Sequence, residues 1–328
     1  MSVEIRRLQS TRDGTFLVTL PREWAKRFKL QKGAPIHVKE RVDGCLILDP
    51  RYGAEETQEI VLKLSERIED SILSSYLLGY EFIAVEEPQG LREEGRERIK
   101  RTASRLIGVE IIEEDERRIL LQCLLKATAI PPEKILRRQY ILSKSLLDDA
   151  FEALLSLNLE EAGKVRDKDE EIDRLYFLLV RILRSLIVNP RLGEKLGISP
   201  IDCLDYRLVA SLVERIADTS VEVAELVSKL KAQGGIPRAF RGFLEKFSGK
   251  LSSTYEHAIK ALFSRGEKTV NQALRSLKDA AESLRSLEEE ALKRRGNPPT
   301  LYILLTLLGT LIDQIKDITD LAFPRPRP

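Results

Sequence analysis

Glu214 and Asp218 stand four residues apart in Leu212–Glu225, where the small and apolar residues Val213, Ile216, Ala217, Ser220 and Ala224 recur at helical spacing. Side chains at i and i+4 of a helix come within about 5 to 6 Å at Cβ, so two carboxylates there either grip one cation or repel each other. The same spacing recurs in Asp313 and Asp317, and again in Asp169 and Asp173. Two facing helices that each carry such a pair supply an all-oxygen nest. Ligands of that kind suit Mg, Ca, Mn or iron and are poor for copper or a structural zinc site. Without a cation, each pair costs an isolated helix roughly 0.2 to 0.5 kcal/mol. The competing reading is a solvated face on which Arg174 and Arg215 serve as counter-ions.

These pairs sit at matching points of a repeat. Asp149–Ser156 parallels His257–Ser264, and Leu212–Asp218 parallels Leu311–Asp317. The separation from Glu214 to Asp313 equals that from Asp218 to Asp317, so a duplicated three-helix unit accounts for both echoes. The copy is imperfect. Lys278 stands where the second unit should repeat Asp169, with Glu282 opposite Asp173, so a second site is expected to be weaker or empty.

The elements that must position these groups are helices. From Glu133 onward the sequence predicts them near 133–156, 159–187, 200–231, 236–264, 267–295 and 299–321, broken at Asn189-Pro190, Gly234-Gly235 and Gly296-Asn297-Pro298. The C-terminal half is therefore all-α, two tandem three-helix bundles at 133–232 and 236–323, with a loose tail at 324–328. Before it, residues 54–130 predict a small α+β domain: a helix over Ala54–Tyr76, a strand at 81–85, a helix at 92–107, and strands at 109–113 and 118–124. No phosphate loop, histidine or nucleophile-and-base set marks that domain, so it is expected to connect or to extend a dimer. Residues 1–50 are β-rich, with strands at Val3–Gln9, 15–20, 35–41 and 45–48. Pro21 opens a short helix at Arg22–Phe28, and Asp43-Gly44 signals a hairpin.

Gly14, Leu20-Pro21-Arg22-Glu23-Trp24, Leu30-Gln31-Lys32-Gly33 and Asp43-Gly44-Cys45-Leu46-Ile47-Leu48 resemble the AbrB/SpoVT swapped-hairpin family. The resemblance implies two chains interlaced into one dimeric barrel that binds DNA. The segment holds ten basic and six acidic residues, an excess able to neutralise phosphates. Arg6, Arg7, Arg12, Lys26 and Arg27 are the candidates for phosphate or base-edge contact, against the reading that they line the solvated face of a dimerisation module.

Asp169–Leu175, Asp205-Tyr206-Arg207-Leu208 and Glu214–Asp218 are similar to the PhoU family. The likeness covers about 134–322 and is closer in the first unit. It implies tandem three-helix bundles whose E(D)xxxD motifs bind iron or other metal clusters, and a negative regulator of phosphate uptake and its signalling. The expected metal ligands are Asp169, Asp173, Glu214 and Asp218, then Asp313, Asp317 and Glu282. The joint resemblance implies a homodimeric, metal-binding regulator of phosphate transport and transcription, with DNA and a transporter ATPase or sensor kinase as partners. One alternative is an adaptor that acts on such a partner without touching DNA. A carboxylate-bridged metalloenzyme is another, but such bundles use Glu-x-x-His on two helices, and His37 and His257 are not so placed.

Composition bounds the rest. The chain has 328 residues, with Lys+Arg 54 nearly balanced by Asp+Glu 52, so any attraction for nucleic acid must be local. The most apolar run, Leu301–Ile312, is too short to span a bilayer. Cys45, Cys123 and Cys203 lack CxxC spacing and are expected to be buried thiols in a reducing, cytoplasmic setting.

Overall fold

The computed structural model describes residues 4–40, 44–50, 58–294 and 296–322. The chain divides into two compact units, Met1–Thr57 and Gln58–Pro328. The start of the first strand at Val3, the hairpin tip at 41–43, the first turn of the helix expected from Ala54 and the tail at 324–328 lie outside the described residues.

The first unit holds β1 (Gln9–Ser10), β2 (Phe16–Leu17), α1 (Arg22–Arg27), β3 (His37–Glu40) and β4 (Leu46–Asp49). β1 pairs antiparallel with β2 and β3 with β4, giving two separate two-stranded ladders. Gly14, at φ 85°, sits in the first turn, a conformation that glycine adopts without a Cβ clash. Among the described residues of 4–50 none is buried. Phe16 is 69 % exposed, Val38 56 % and Leu46 65 %. The register places Val38 opposite Leu48 and Glu40 opposite Leu46, so Val38, Leu46 and the half-buried Leu48 share one face with Glu40. Cys45 is exposed, contrary to the expectation for all three cysteines, because this unit has no interior to receive it; Cys123 and Cys203 are buried.

The second unit opens with β5 (Glu59–Lys63), α2 (Ile68–Leu77), β6 (Phe82–Glu86), α3 (Glu93–Ser104), β7 (Val109–Glu114) and β8 (Arg118–Cys123). The sheet order is β5-β6-β8-β7, with β5 and β6 parallel and joined by α2. The helix expected over 54–76 is thus a strand and a shorter helix. Ile60 and Leu64 satisfy both periods, and pairing with β6 turns Ile60 and Leu62 together toward Ile68, Ile72, Ile83, Val85, Ile99, Ile119 and Leu121. The α+β core joins the helices through Phe177 and Leu125.

Seven helices follow: α4 (Pro132–Ser156), α5 (Leu159–Val188), α6 (Pro190–Leu196), α7 (Pro200–Ala232), α8 (Arg238–Ser264), α9 (Glu267–Lys293) and α10 (Pro299–Asp320). Six coincide with the expected ones; α6, two turns between Asn189-Pro190 and Gly197, has too little apolar pattern to stand out. Local chemistry sets the ends. The Asn158 side chain accepts from the Glu160 and Glu161 amides, and Ser199 with Asp202 forms a capping box on α7. α4 and α8 both end on a non-glycine residue in the left-handed region, Leu157 and Arg265, each directly after one of the two echoed segments.

α4, α5 and α7 pack as one bundle and α8, α9 and α10 as another, with α7 against α10 and α4 against α8 between them. A single apolar core runs through both. Its dry centre carries a polar seam. Gln139 Nε2 donates to the Ala210 carbonyl at 3.1 Å and Ser143 Oγ to that of Val213 at 3.0 Å. Tyr255 Oη donates to Ser143 Oγ at 3.3 Å, and Gln314 Nε2 to Thr219 Oγ1 at 3.0 Å.

Arg181 of α5 holds the α+β domain. Only 7 % exposed, it donates to the Tyr76 carbonyl at 2.6 Å and the Gly79 carbonyl at 3.2 Å, and lies 4.9 Å from the Tyr76 ring centroid. Arg181→Ala is expected to cost about 2 to 3 kcal/mol by stranding two carbonyls, read as a lower urea midpoint. Hydrogen exchange in 68–79 should rise with it; an unchanged midpoint would remove this anchoring role.

Candidate metal centre

α7 brings small residues to its face with α5. Ala217 and Ala224 join Leu146, Ala150, Val165 and Ile172 in a compact cluster, and Ser220 is fully buried, its hydroxyl returned to the Ile216 carbonyl. Short side chains let the two helices approach closely, and the carboxylates at the rim approach with them. Asp169 and Asp173 on α5 then face Glu214 and Asp218 on α7.

Their electrostatics record the convergence. Burial, then Asp173 and Asp218, pushes Asp169 up to about 6. Burial, then Asp218, Asp173 and Asp169, pushes Glu214 up to about 7, with Arg207 opposing. Asp173 is raised by burial and by Asp218, against the pull of Arg105. Asp218, the most exposed of the four, is raised by burial and drawn back by Arg215. All four are raised, first by burial and for Asp169, Asp173 and Glu214 also by one another's charge, and a cation among them would relieve the same cost.

The donor set is all oxygen, and Asp169 Oδ1 is buried without a hydrogen-bond partner. Both features fit a hard cation. As they stand, no three His, Cys, Asp or Glu side chains among the described residues are arranged to ligate one ion.

Of the two expected counter-ions, Arg215 lies against Asp218, whereas Arg174 keeps its Nε buried without a hydrogen-bond partner. The cation beside Asp173 is Arg105, from the end of α3, at 3.8 Å, with Glu170 at 4.0 Å. No local pattern marked it, since its role arises only when α2 packs on α5 and brings the end of α3 within reach.

In the bundle of α8, α9 and α10, Asp313, Asp317 and Glu282 are exposed. Lys278 lies 3.9 Å from Glu282, a lysine in place of one carboxylate of the α4–α5–α7 bundle, and no half-buried cluster like the first forms among the described residues there. His257 of α8 is engaged by Ser276 of α9 at 2.7 Å and Gln272 at 2.9 Å.

In the first unit of the chain, Arg6, Arg7, Arg12, Lys26 and Arg27 are all exposed. Arg6 and Arg7 precede β1 instead of lying on it, Arg12 is in the β1–β2 turn, and Lys26 and Arg27 end α1. Arg6 pairs with Glu4, and Lys26 lies 3.3 Å from Glu23.

Residues 136–227 match the family model of the PhoU domain. The matched span runs from α4 to α7 and contains all four converging carboxylates. No curated protein matches the chain. Among solved structures the chain is similar to PhoU from Pseudomonas aeruginosa, at 17 % identity and a TM-score of 0.46, over 58 % of this chain and 93 % of that one. No helix among the described residues is long and apolar enough to cross a membrane.

Proposed function

We propose, from the PhoU-domain match of the first bundle, that this chain is a homodimeric, metal-binding, non-enzymatic regulator of phosphate uptake and phosphate-dependent transcription. The observation that carries the reading is the meeting of Asp169, Asp173, Glu214 and Asp218 across α5 and α7 inside the matched span. These four would hold the ion, iron first by resemblance and otherwise Mg, Mn or Ca. A bound cation would supply the positive charge that lets four carboxylates share one half-buried site near neutral pH. The chain's own contribution is to keep α5 and α7 close through Ala217, Ser220 and Ala224, and to exclude solvent on the core side through Ile172.

The N-terminal unit is the proposed dimerisation and DNA-binding part. Its open apolar faces call for a second copy, and Arg7, Arg12 and Arg27 are free of the pairings that occupy Arg6 and Lys26. Those pairings favour the adaptor reading, in which the chain acts on a transporter ATPase or sensor kinase alone.

Retention on DNA separates the two. With native protein, retention is expected to fall steeply with salt and to shift when a divalent ion is replaced by chelator. Changing Arg6, Arg7 and Lys26 together to Ala should flatten the salt dependence. Native retention that ignores salt would leave the adaptor; a chelator without effect would detach the metal from DNA binding.

A further inference from the structure

Among the described residues, Arg105 is the one side chain of the α+β domain that reaches the acid cluster. Its backbone is fixed from the domain side: its amide bonds the Thr102 carbonyl at 3.2 Å, its neighbour Leu106 is buried, and Tyr76 Oη donates to the Ile107 carbonyl at 3.0 Å. The guanidinium reaches Asp173 and Glu170 of α5 at 3.8 and 4.0 Å while remaining half-exposed. Arg181, on the same helix, makes the opposite reach into the α+β domain. The two parts are therefore clasped at two points along α5. One clasp is buried and tightly hydrogen-bonded; the other is a long, solvated ion pair, worth little by itself.

A long pair between an arginine and a candidate ligand is a competitor for any cation that arrives. From this juxtaposition we infer that Arg105 is a built-in counter-ion of the cluster, which a divalent cation displaces, so that binding at α5 and α7 releases the end of α3 while Arg181 keeps its hold. The α+β domain thereby registers whether the site is loaded. The charges facing Arg105 are Asp173 and Glu170, with Asp169, Glu214 and Asp218 behind them and Arg215 and Arg207 on the α7 side. The inference rests on the metal reading above and adds a mover to it. Arg105 is a positioning residue, not a ligand.

The test uses the full chain and Mn2+ alone. Calorimetric titration should show Arg105→Gln binding Mn2+ about three- to fivefold more tightly than native protein, because a competing charge of this exposure has gone, while Arg105→Lys, which keeps the charge, stays near native. Hydrogen exchange at 104–109 should rise on adding Mn2+ to native protein and should be raised already, and insensitive to Mn2+, in Arg105→Gln. Equal or weaker Mn2+ binding by Arg105→Gln beside a native chain that does bind would overturn the inference and leave the metal reading standing. A native chain that binds neither Mn2+ nor iron would overturn the metal reading itself. Since Arg105 is half-exposed, its replacement leaves the core intact, and the lysine variant guards against misfolding of the other.

Discussion

Replacing Glu214 by Gln and Asp218 by Asn is expected to stabilise the metal-free chain above pH 7 and to abolish its response to divalent cations. The sign follows from the direction in which folding moves these groups. Folding raises Glu214 to about 7 and Asp169 to about 6, above the ordinary carboxylate range. Groups raised in this way contribute stability that is whole below their unfolded values and lost as pH climbs through the folded ones. Without metal, the native chain should therefore weaken between about pH 4 and 7 on account of this cluster. A tenfold change in proton affinity corresponds to about 1.4 kcal/mol for an isolated buried group; with these side chains half-exposed and screened, the cluster as a whole contributes about 2 kcal/mol. Melting curves at pH 5 and pH 8 with chelator should diverge for native protein and diverge less for the double variant, which keeps the buried Asp169 and Asp173. Saturating Mn2+ should raise the native melting point at pH 8 and leave the variant unmoved, and elemental analysis should find metal with the former alone. A variant that keeps both the native pH slope and its metal would end the assignment of these residues.

The second large effect concerns association. Val38→Asp with Leu46→Asp should convert the proposed dimer into a monomer. The β3–β4 ladder presents Val38, Leu46 and Leu48 on one face, Val38 and Leu46 exposed and Leu48 half-buried. Burying one such side chain is worth about 1.5 to 3 kcal/mol, and each copy of a dimer would supply several. Two aspartates per copy remove that gain and add charges that must stay wet, so the dissociation constant should rise by at least roughly a thousandfold. Sedimentation of both proteins at micromolar concentration reads the change, and salt-sensitive DNA retention should vanish with the dimer. Persistence of the dimer would place the interface elsewhere and undercut the role given to residues 1–50.

Most of the helical half was legible in the sequence. Asn158, Ser199 and Pro200 mark starts by their own chemistry, and stripes of buried residues twenty or more positions long admit one period only. The carboxylate face was legible too, because i, i+4 spacing and the small residues beside it act within single helices. Residues 54–76 were not: Ile60, Leu62 and Leu64 fit a strand and Ile60, Leu64, Ile68 and Ile72 a helix, and only the partner strand β6 decides between them. Arg105 was hidden for a related reason. It stands among Arg92, Arg96, Arg98, Lys100 and Arg101 with nothing to single it out until α2 docks on α5. Cys45 lies in an apolar run and so reads as interior, although a unit of this size has no interior to offer within one chain.

The hydrogen bonds inside the two-bundle core limit how news of a loaded site can travel. Were α7 to slip along α10 by one turn, or α4 along α7, the Gln314 amide and the Ser143 hydroxyl would each lose an acceptor in a dry place, at about 1 to 3 kcal/mol apiece. Gears locked in mesh cannot glide. Motions that keep the Gln314–Thr219 and Tyr255–Ser143 bonds are turns about those contacts, not translations along the helices.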